Sequence, residues 1–214
     1  YKRQDIQIVK ENKLGTLPVD KLLVKMAIPM VISMLVQSIY NIVDSMFVSR
    51  VSEDALTAVS LAFPVQNILI AFAVGIGVGS SALLSRFLGE NNRDRVGSVA
   101  IHGVVIATIT YVIFAIIGLL FTNSFANAQG QNAQVTAYTK EYLYIVTIFS
   151  AGLFFQVLGE KLLQATSLTN YTMITQMSGA IINLILDPIL IFGLFGFPRL
   201  EVKGAAIALS LIHI

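Results

Sequence analysis

Long apolar stretches separated by short polar segments follow one another along most of this chain. A membrane-spanning helix needs about 20 mostly apolar residues, and five stretches are long enough. A sixth begins near Gly204 and runs to Ile214, which is too short to cross a bilayer. The five candidate spans are residues 26–49, 55–84, 96–121, 141–159 and 171–197. The pattern predicts an all-α polytopic membrane protein with about six membrane helices.

Composition supports this interpretation. Of the 214 residues, 56% are hydrophobic and only 12% are charged, whereas soluble domains contain about 25% charged residues. The absence of cysteine excludes disulfides and thiolate metal sites. A net charge of +2 is too small to indicate a nucleic-acid partner.

Basic residues are distributed unevenly between the segments that separate the spans. Ten of the 14 lie before span one, between spans two and three, or between spans four and five. The other four are Arg50, Lys140, Arg199 and Lys203. Because cytoplasmic loops carry the excess of lysine and arginine, the bias predicts a cytoplasmic N-terminus; the plasma membrane is the expected location. Residues 1–20 are then a cytoplasmic lead, and residues 21–214 form the six-helix membrane unit with its sixth helix truncated.

Two carboxylates interrupt otherwise apolar spans: Asp44 in span one and Asp187 in span five. A charged side chain at the centre of a membrane helix costs about 2.5–3.5 kcal/mol on insertion scales, and such residues mark ion or substrate pathways. The alternative is that both are solvated near the outer interface, since Asp44 lies close to the polar segment that begins at Arg50.

Polar residues recur at helical spacing beside both carboxylates. Residues three or four positions apart share a helix face, so each of these two spans has one polar face in an apolar helix. The residues are Gln37, Tyr40 and Asn41 with Asp44, and Gln176 and Asn183 with Asp187. Gln37, Tyr40, Asn41 and Gln176 are therefore candidates for lining a cavity. They could equally be polar contacts that hold helices together.

Two further features have structural interpretations. Gly75 and Gly79 have the small-xxx-small spacing that lets helix backbones approach closely, which predicts that both face a neighbouring helix. Glu160 and Lys161 are expected to form a neutralising surface pair, which leaves no lysine or arginine deep in any span.

The order and spacing of these motifs resemble those of the MATE family, the multidrug and toxic compound extrusion transporters. The resemblance covers about residues 20–212. One departure is Ser167–Leu168, where many relatives carry glycine followed by a polar residue. The matching segments are Pro29, Gln37 with Tyr40–Asp44, Ala55–Ser60, Phe63–Pro64, Gly75–Ala82, Ser85–Gly89 and Asn183–Pro188.

The resemblance implies a fold of twelve helices in two six-helix lobes around a central cavity. This chain would supply the N-terminal lobe, and the second lobe would be absent from it. Family members export organic cations and other amphiphiles in exchange for protons or sodium ions, so no enzyme activity and no cofactor are expected. The implied partners are small cationic or amphiphilic substrates and the lipid bilayer, with no nucleic acid and a monomeric complete protein.

The family's N-lobe cation site uses acidic and amide residues of helices one and five. By resemblance, the site here consists of Asp44, Asn183 and Asp187, with a sodium ion possible between the two aspartates and no other metal. A carboxylate removed from water needs a proton or a cation to compensate its charge. We therefore expect a cationic substrate and the coupling ion to compete for one negative site.

Two rivals compete with this interpretation: another kind of transporter, a flippase, and a protein of another class, either a channel or a membrane enzyme. A lipid-linked oligosaccharide flippase of similar two-lobe build would carry cationic residues in its cavity. A helical channel would need a filter-like loop, which is not apparent. An intramembrane aspartyl protease could use Asp44 and Asp187, but the Gly-Asp signature of such enzymes is missing at both positions.

Overall fold

The computed structural model describes residues 18–129 and 132–212, which are almost entirely helical and contain no strand. This confirms the all-α prediction. The lead predicted for residues 1–20 and the chain end at Ile214 lie mostly outside the described residues. The helices are α1 (Val19–Ser49), α2 (Glu53–Gly89), α3 (Arg93–Ala128), α4 (Ala133–Ile148), α5 (Ala151–Ala165), α6 (Thr169–Phe192) and α7 (Glu201–Ile212), with a 3-10 turn at Leu194–Gly196.

Four helices of the described chain, α1, α2, α3 and α6, are each long and apolar enough to cross a membrane. The fourth span, predicted as one helix over residues 141–159, is instead two helices, α4 and α5, bent by 48°. At the break, side-chain hydroxyls compete with backbone N–H groups for backbone carbonyls. Thr147 donates to the Leu143 carbonyl and Ser150 to the Thr147 carbonyl, both at 2.7 Å. The predicted single helix is therefore wrong, although the pair can still form a fifth span.

The described helices pack around one apolar core. α1 lies mainly against α6, while α2 contacts α3, α4 and α5, and α7 fills the angle between α4 and α6. Large side chains buried at the centre are Leu69, Tyr142, Phe154 and Ile191. The outward faces of α1, α2 and α3 carry many exposed isoleucine, leucine, valine and phenylalanine side chains, as expected for helices whose backbone is satisfied internally and whose surface meets lipid.

Two glycines shape the C-terminal end of α6 and the segment that follows it. Gly193 ends the helix in the left-handed region at φ 73°, and a Cβ there would lie 2.8 Å from the Arg199 amide nitrogen. Gly204 lets α7 approach closely, because a Cβ at that position would lie 2.6 Å from the Leu190 carbonyl. The chain therefore turns back tightly just beyond Asp187.

The expectation that Gly75 and Gly79 pack against a helix is wrong. Both are exposed in the described chain, and a Cβ added to either would meet nothing within 4 Å. The packed glycine is Gly77, where a Cβ would lie 2.8 Å from Lys161 Cγ. The spacing of the glycines does not by itself indicate which side of the helix is buried. The buried row of α2 runs through Ala73, Gly77, Ser80 and Leu84.

Candidate functional site

Asp44 and Asp187 lie at matching positions of two packed helices. Each is five residues before the last residue of its helix, Ser49 in α1 and Phe192 in α6. At 1.5 Å per residue, both are about 7.5 Å from a helix end. Because α1 packs against α6, the two carboxylates are near enough to interact electrostatically.

Asn183, one turn before Asp187 in α6, completes this group. Its Nδ2 donates a hydrogen bond of 3.0 Å to Asp187 Oδ1, and both residues are only 1% exposed. Asp44 is half-buried. Three oxygens, Asp44 Oδ1, Asn183 Oδ1 and Asp187 Oδ2, are buried without a hydrogen-bond partner among the described residues. The structure thus brings the three predicted cation-site residues together.

Two tyrosines lie next to the carboxylates. Tyr142 of α4 is 2% exposed, and its hydroxyl donates to Gln66 Oε1 at 3.4 Å. Tyr40, one turn before Asp44 in α1, lines the cavity together with Gln37. Both phenols lie within the electrostatic reach of Asp44 and Asp187. Neither phenol is hydrogen-bonded to Asp44 Oδ1 or Asp187 Oδ2, which lack partners among the described residues.

This arrangement is suited to a small cation. Buried polar groups are normally hydrogen-bonded, so three neighbouring acceptors without donors need an explanation. Carboxylate and amide oxygens are ligands for hard cations, and a proton would also neutralise a buried carboxylate. The alternative that Asp187 is exposed to solvent near the outer interface does not hold, because its side chain is buried in the described chain.

A separate cavity of about 230 Å³ opens between the helices. All four cavity-lining candidates, Gln37, Tyr40, Asn41 and Gln176, lie in its wall. Among the described residues, its wall does not include Asp44, Asn183 or Asp187. The cavity is therefore a separate region beside the group formed by Asp44, Asn183 and Asp187. Both regions are built partly by α1 and α6.

Glu160 and Lys161 do not form the surface pair that the sequence predicts. The side chains are only 14% and 17% exposed, and both line the cavity. Glu160 Oε1 accepts from Gln164 Nε2 at 2.8 Å, and Oε2 accepts from Gln176 Nε2 at 2.7 Å. Lys161 lies four residues before Ala165, the last residue of α5, so the expectation that no lysine or arginine lies deep in any span stays a prediction.

Sequence reasoning missed several polar residues of the cavity and the carboxylate group. Gln66 and Asn67 follow Pro64 in the second span, and a pair of adjacent amides in an apolar helix is a signal that could have found them. Tyr142 gave no such signal, because a tyrosine in a membrane helix is as consistent with packing as with function. Gln156 and Gln164 complete the amide-rich wall of the cavity.

Comparison with known proteins identifies relatives along most of the chain. The MatE family model matches residues 29–189. A protein described as an FAD transporter from Shewanella oneidensis is 32% identical over 89% of this chain and 42% of its own length. A multidrug export protein, MepA, from Staphylococcus haemolyticus is 30% identical over the same shares of the two chains. The chain thus spans less than half of either relative.

Solved structures give the same result. A transporter of the MOP superfamily from Pyrococcus furiosus, described as having a binding pocket of reverse polarity that suggests a different function, superposes with a TM-score of 0.87 at 32% identity. An outward-facing multidrug resistance transporter of the MATE family superposes with a TM-score of 0.83, also at 32% identity. The matches cover 95% and 90% of this chain, and 44% and 42% of the other chains. These shares are those expected for one lobe of two.

Proposed function

Because this chain belongs to the MatE family, we propose that it forms the N-terminal lobe of a secondary active transporter that exports organic cations or drugs by antiport with protons or sodium ions. Members of the family are transporters, not enzymes. The apolar helices and the matched relatives make this a multi-pass membrane protein. The charge bias supports a cytoplasmic N-terminus, and we propose the plasma membrane as the location.

The observation that carries the proposal is the group of three buried oxygens without partners, Asp44 Oδ1, Asn183 Oδ1 and Asp187 Oδ2. Two carboxylates held close together without a bound cation repel one another. A proton or a sodium ion removes that repulsion, so its binding favours a closer packing of α1 on α6. We propose this group as the binding site of the coupling ion.

Substrate binding would be linked to the coupling ion through α1. Tyr40 lines the cavity and also lies within electrostatic reach of Asp44. A positively charged substrate in the cavity is repelled by a cation already at the carboxylates, so each ligand favours a different state of the protein. Rocking of two lobes about a central cavity would then complete alternating access.

The names of the relatives support two substrate classes. The relatives named multidrug export proteins favour small amphiphilic or cationic substrates. The relative named an FAD transporter suggests flavin nucleotides as a second candidate, and Lys161 in the cavity wall is the observation that favours an anionic group. We retain export of cations as the main proposal, with the complete protein acting as a monomer in the bilayer.

The test is ion-driven efflux of a fluorescent organic cation from vesicles that carry the full-length protein. Asp44→Asn and Asp187→Asn keep the side-chain shape and remove the charge, so both variants should fold and lose export driven by the ion gradient. The double variant should be little worse than either single variant, because residues that serve one site are strongly non-additive.

Glu90→Gln is the matched control, because it also removes one carboxylate but at an exposed ion pair with Arg86. It should export at the rate of the unmodified protein. Unchanged rates, with unchanged pH and sodium dependence, in both aspartate variants would show that the carboxylates are structural and that the proposal is wrong.

A further inference from the structure

A second charged group lies in the cavity wall, apart from Asp44 and Asp187. Glu160 of α5 is held on both carboxylate oxygens by amide N–H groups, one from Gln164 and one from Gln176 of the neighbouring helix α6. Hydrogen bonds of this kind, to a charged acceptor, are the strong ones. The two amides therefore fix the orientation of the carboxylate beside the cavity.

Lys161 is a loosely held counter-ion to Glu160. Its Nζ lies 3.7 Å from Glu160 Oε1, which is beyond hydrogen-bond distance. The ammonium donates instead to Gln164 Oε1 at 3.2 Å. Its aliphatic stem passes over Gly77, where there is no Cβ to displace it. The ammonium thus has an acceptor that remains available when another cation approaches Glu160.

Other side chains of the wall suit an organic cation. Tyr40 and Phe63 present aromatic rings to the same cavity, and Met30 and Met34 add flexible, polarizable side chains. Aromatic faces attract cations, and methionine adapts to ligands of different shape. Apart from Glu160 and Lys161, the described residues of the wall carry no formal charge.

We propose that Glu160 binds the positive group of an organic monocation, which takes the place of Lys161 beside the carboxylate. The inference rests on the proposed transport function and deepens it by assigning the substrate charge to Glu160 and the coupling ion to the Asp44–Asp187 group. Lys161 keeps Glu160 compensated in the empty cavity and competes with the substrate. Removing Lys161 should therefore strengthen cation binding, while removing the charge of Glu160 should weaken it.

The experiment is equilibrium binding of ethidium, followed by its fluorescence, to the purified full-length protein in detergent. Loss of a charge-assisted contact weakens binding by about 1.5–3 kcal/mol, so Glu160→Gln should raise the Kd roughly 10- to 100-fold. Lys161→Met should lower the Kd. Glu90→Gln is the matched control, since it neutralises an exposed carboxylate, and its Kd should not change.

The signs of the two effects distinguish the possible ligands. If Glu160→Gln tightens and Lys161→Met weakens binding of a flavin nucleotide, while ethidium binding matches that of the control, the pair recognises an anion and the inference is overturned. If Glu160→Gln does not give a monodisperse protein, Lys161→Met decides alone: tighter ethidium binding supports the inference, and equal or weaker binding overturns it.

A transport assay separates this inference from the proposed function. Residual ethidium export by Glu160→Gln should keep the pH or sodium dependence of the unmodified protein, because Asp44, Asn183 and Asp187, the proposed site of the coupling ion, are unchanged. Export with unchanged substrate affinity in this variant would overturn the assignment of Glu160 and leave the transport function standing. Absence of both ethidium binding and ethidium export in the unmodified protein would instead contradict the transport function itself.

Discussion

Asn183 donates its side-chain N–H to Asp187 Oδ1 at 3.0 Å, one helical turn away on α6. Since only the amide nitrogen can donate to a carboxylate, this bond leaves Asn183 Oδ1 as an acceptor beside Asp187 Oδ2, and both atoms lack a partner. The bond therefore leaves two acceptor oxygens of α6 for the proposed coupling ion. Asp44 Oδ1, from α1, is the third such atom.

We expect Asn183→Ala to weaken coupling-ion binding without abolishing it. The change removes one proposed ligand oxygen and one hydrogen bond to a charged group, worth about 1.5–3 kcal/mol. The midpoint of the sodium or pH dependence of ion-driven efflux should shift by roughly 10- to 100-fold in ion concentration. Asn170→Ala, at an exposed position of the same helix, is the control. An equal midpoint in both variants would remove Asn183 from the site.

Gly77→Ala should destabilise the protein, whereas Gly79→Ala should not. A Cβ at position 77 would lie 2.8 Å from Lys161 Cγ, and one at position 79 would meet nothing within 4 Å. Overpacking of this kind costs about 1–3 kcal/mol. The measurement is the monodisperse fraction that remains in detergent after heating to a series of temperatures. Equal melting midpoints for the two variants would show that α2 and α5 do not pack as described.

Ser167→Gly should stabilise the turn between α5 and α6. Ser167 has φ 63° and a buried hydroxyl oxygen without a partner among the described residues. Its amide bonds to the Gln164 carbonyl and that of Leu168 to the Leu163 carbonyl, the pattern of a helix end that favours glycine. The left-handed backbone conformation costs a residue with a Cβ about 1–2 kcal/mol. Relief of that strain outweighs the larger loss of backbone entropy when glycine is ordered, about 0.5–1 kcal/mol.

Thermal melting of the full-length variant checks this prediction, with Thr166→Gly as the control from the same turn. Thr166 has φ −94°, where glycine relieves no strain, so the control should melt at the same or a lower temperature. A lower midpoint for Ser167→Gly than for Thr166→Gly would contradict the proposed origin of the strain.

The proposed orientation predicts that Glu53→Cys is labelled from outside the cell and Gly89→Cys only from inside. Both positions are exposed, and they lie at opposite ends of α2. Glu53 is preferable to Ser52, because the Ser52 hydroxyl caps α2 by accepting from the Ala55 amide at 3.0 Å. A membrane-impermeant maleimide measures accessibility, and this chain has no cysteine of its own. The opposite labelling pattern would reverse the topology.

Most of the fold was accessible from the sequence because lipid imposes a simple rule on each span separately. An apolar run of sufficient length predicts a helix whatever its neighbours are, and α1, α2, α3 and α6 follow that rule. The break between α4 and α5 was not accessible in this way. It depends on hydroxyl groups that bond to the backbone at Thr147 and Ser150, and serine and threonine do so in some helices only.

The sequence alone determined that this is a helical membrane protein. It also made Asp44, Asn183 and Asp187 candidates for a cation site, because a carboxylate or amide in an apolar helix is conspicuous without knowledge of its neighbours. Only the tertiary structure decided which oxygens of these residues lack partners, that Gly77 rather than Gly75 or Gly79 is packed, and that Glu160 and Lys161 face a cavity. The physical reason is that helical periodicity fixes which residues share a face, whereas contacts between helices decide whether that face meets lipid, protein or a cavity.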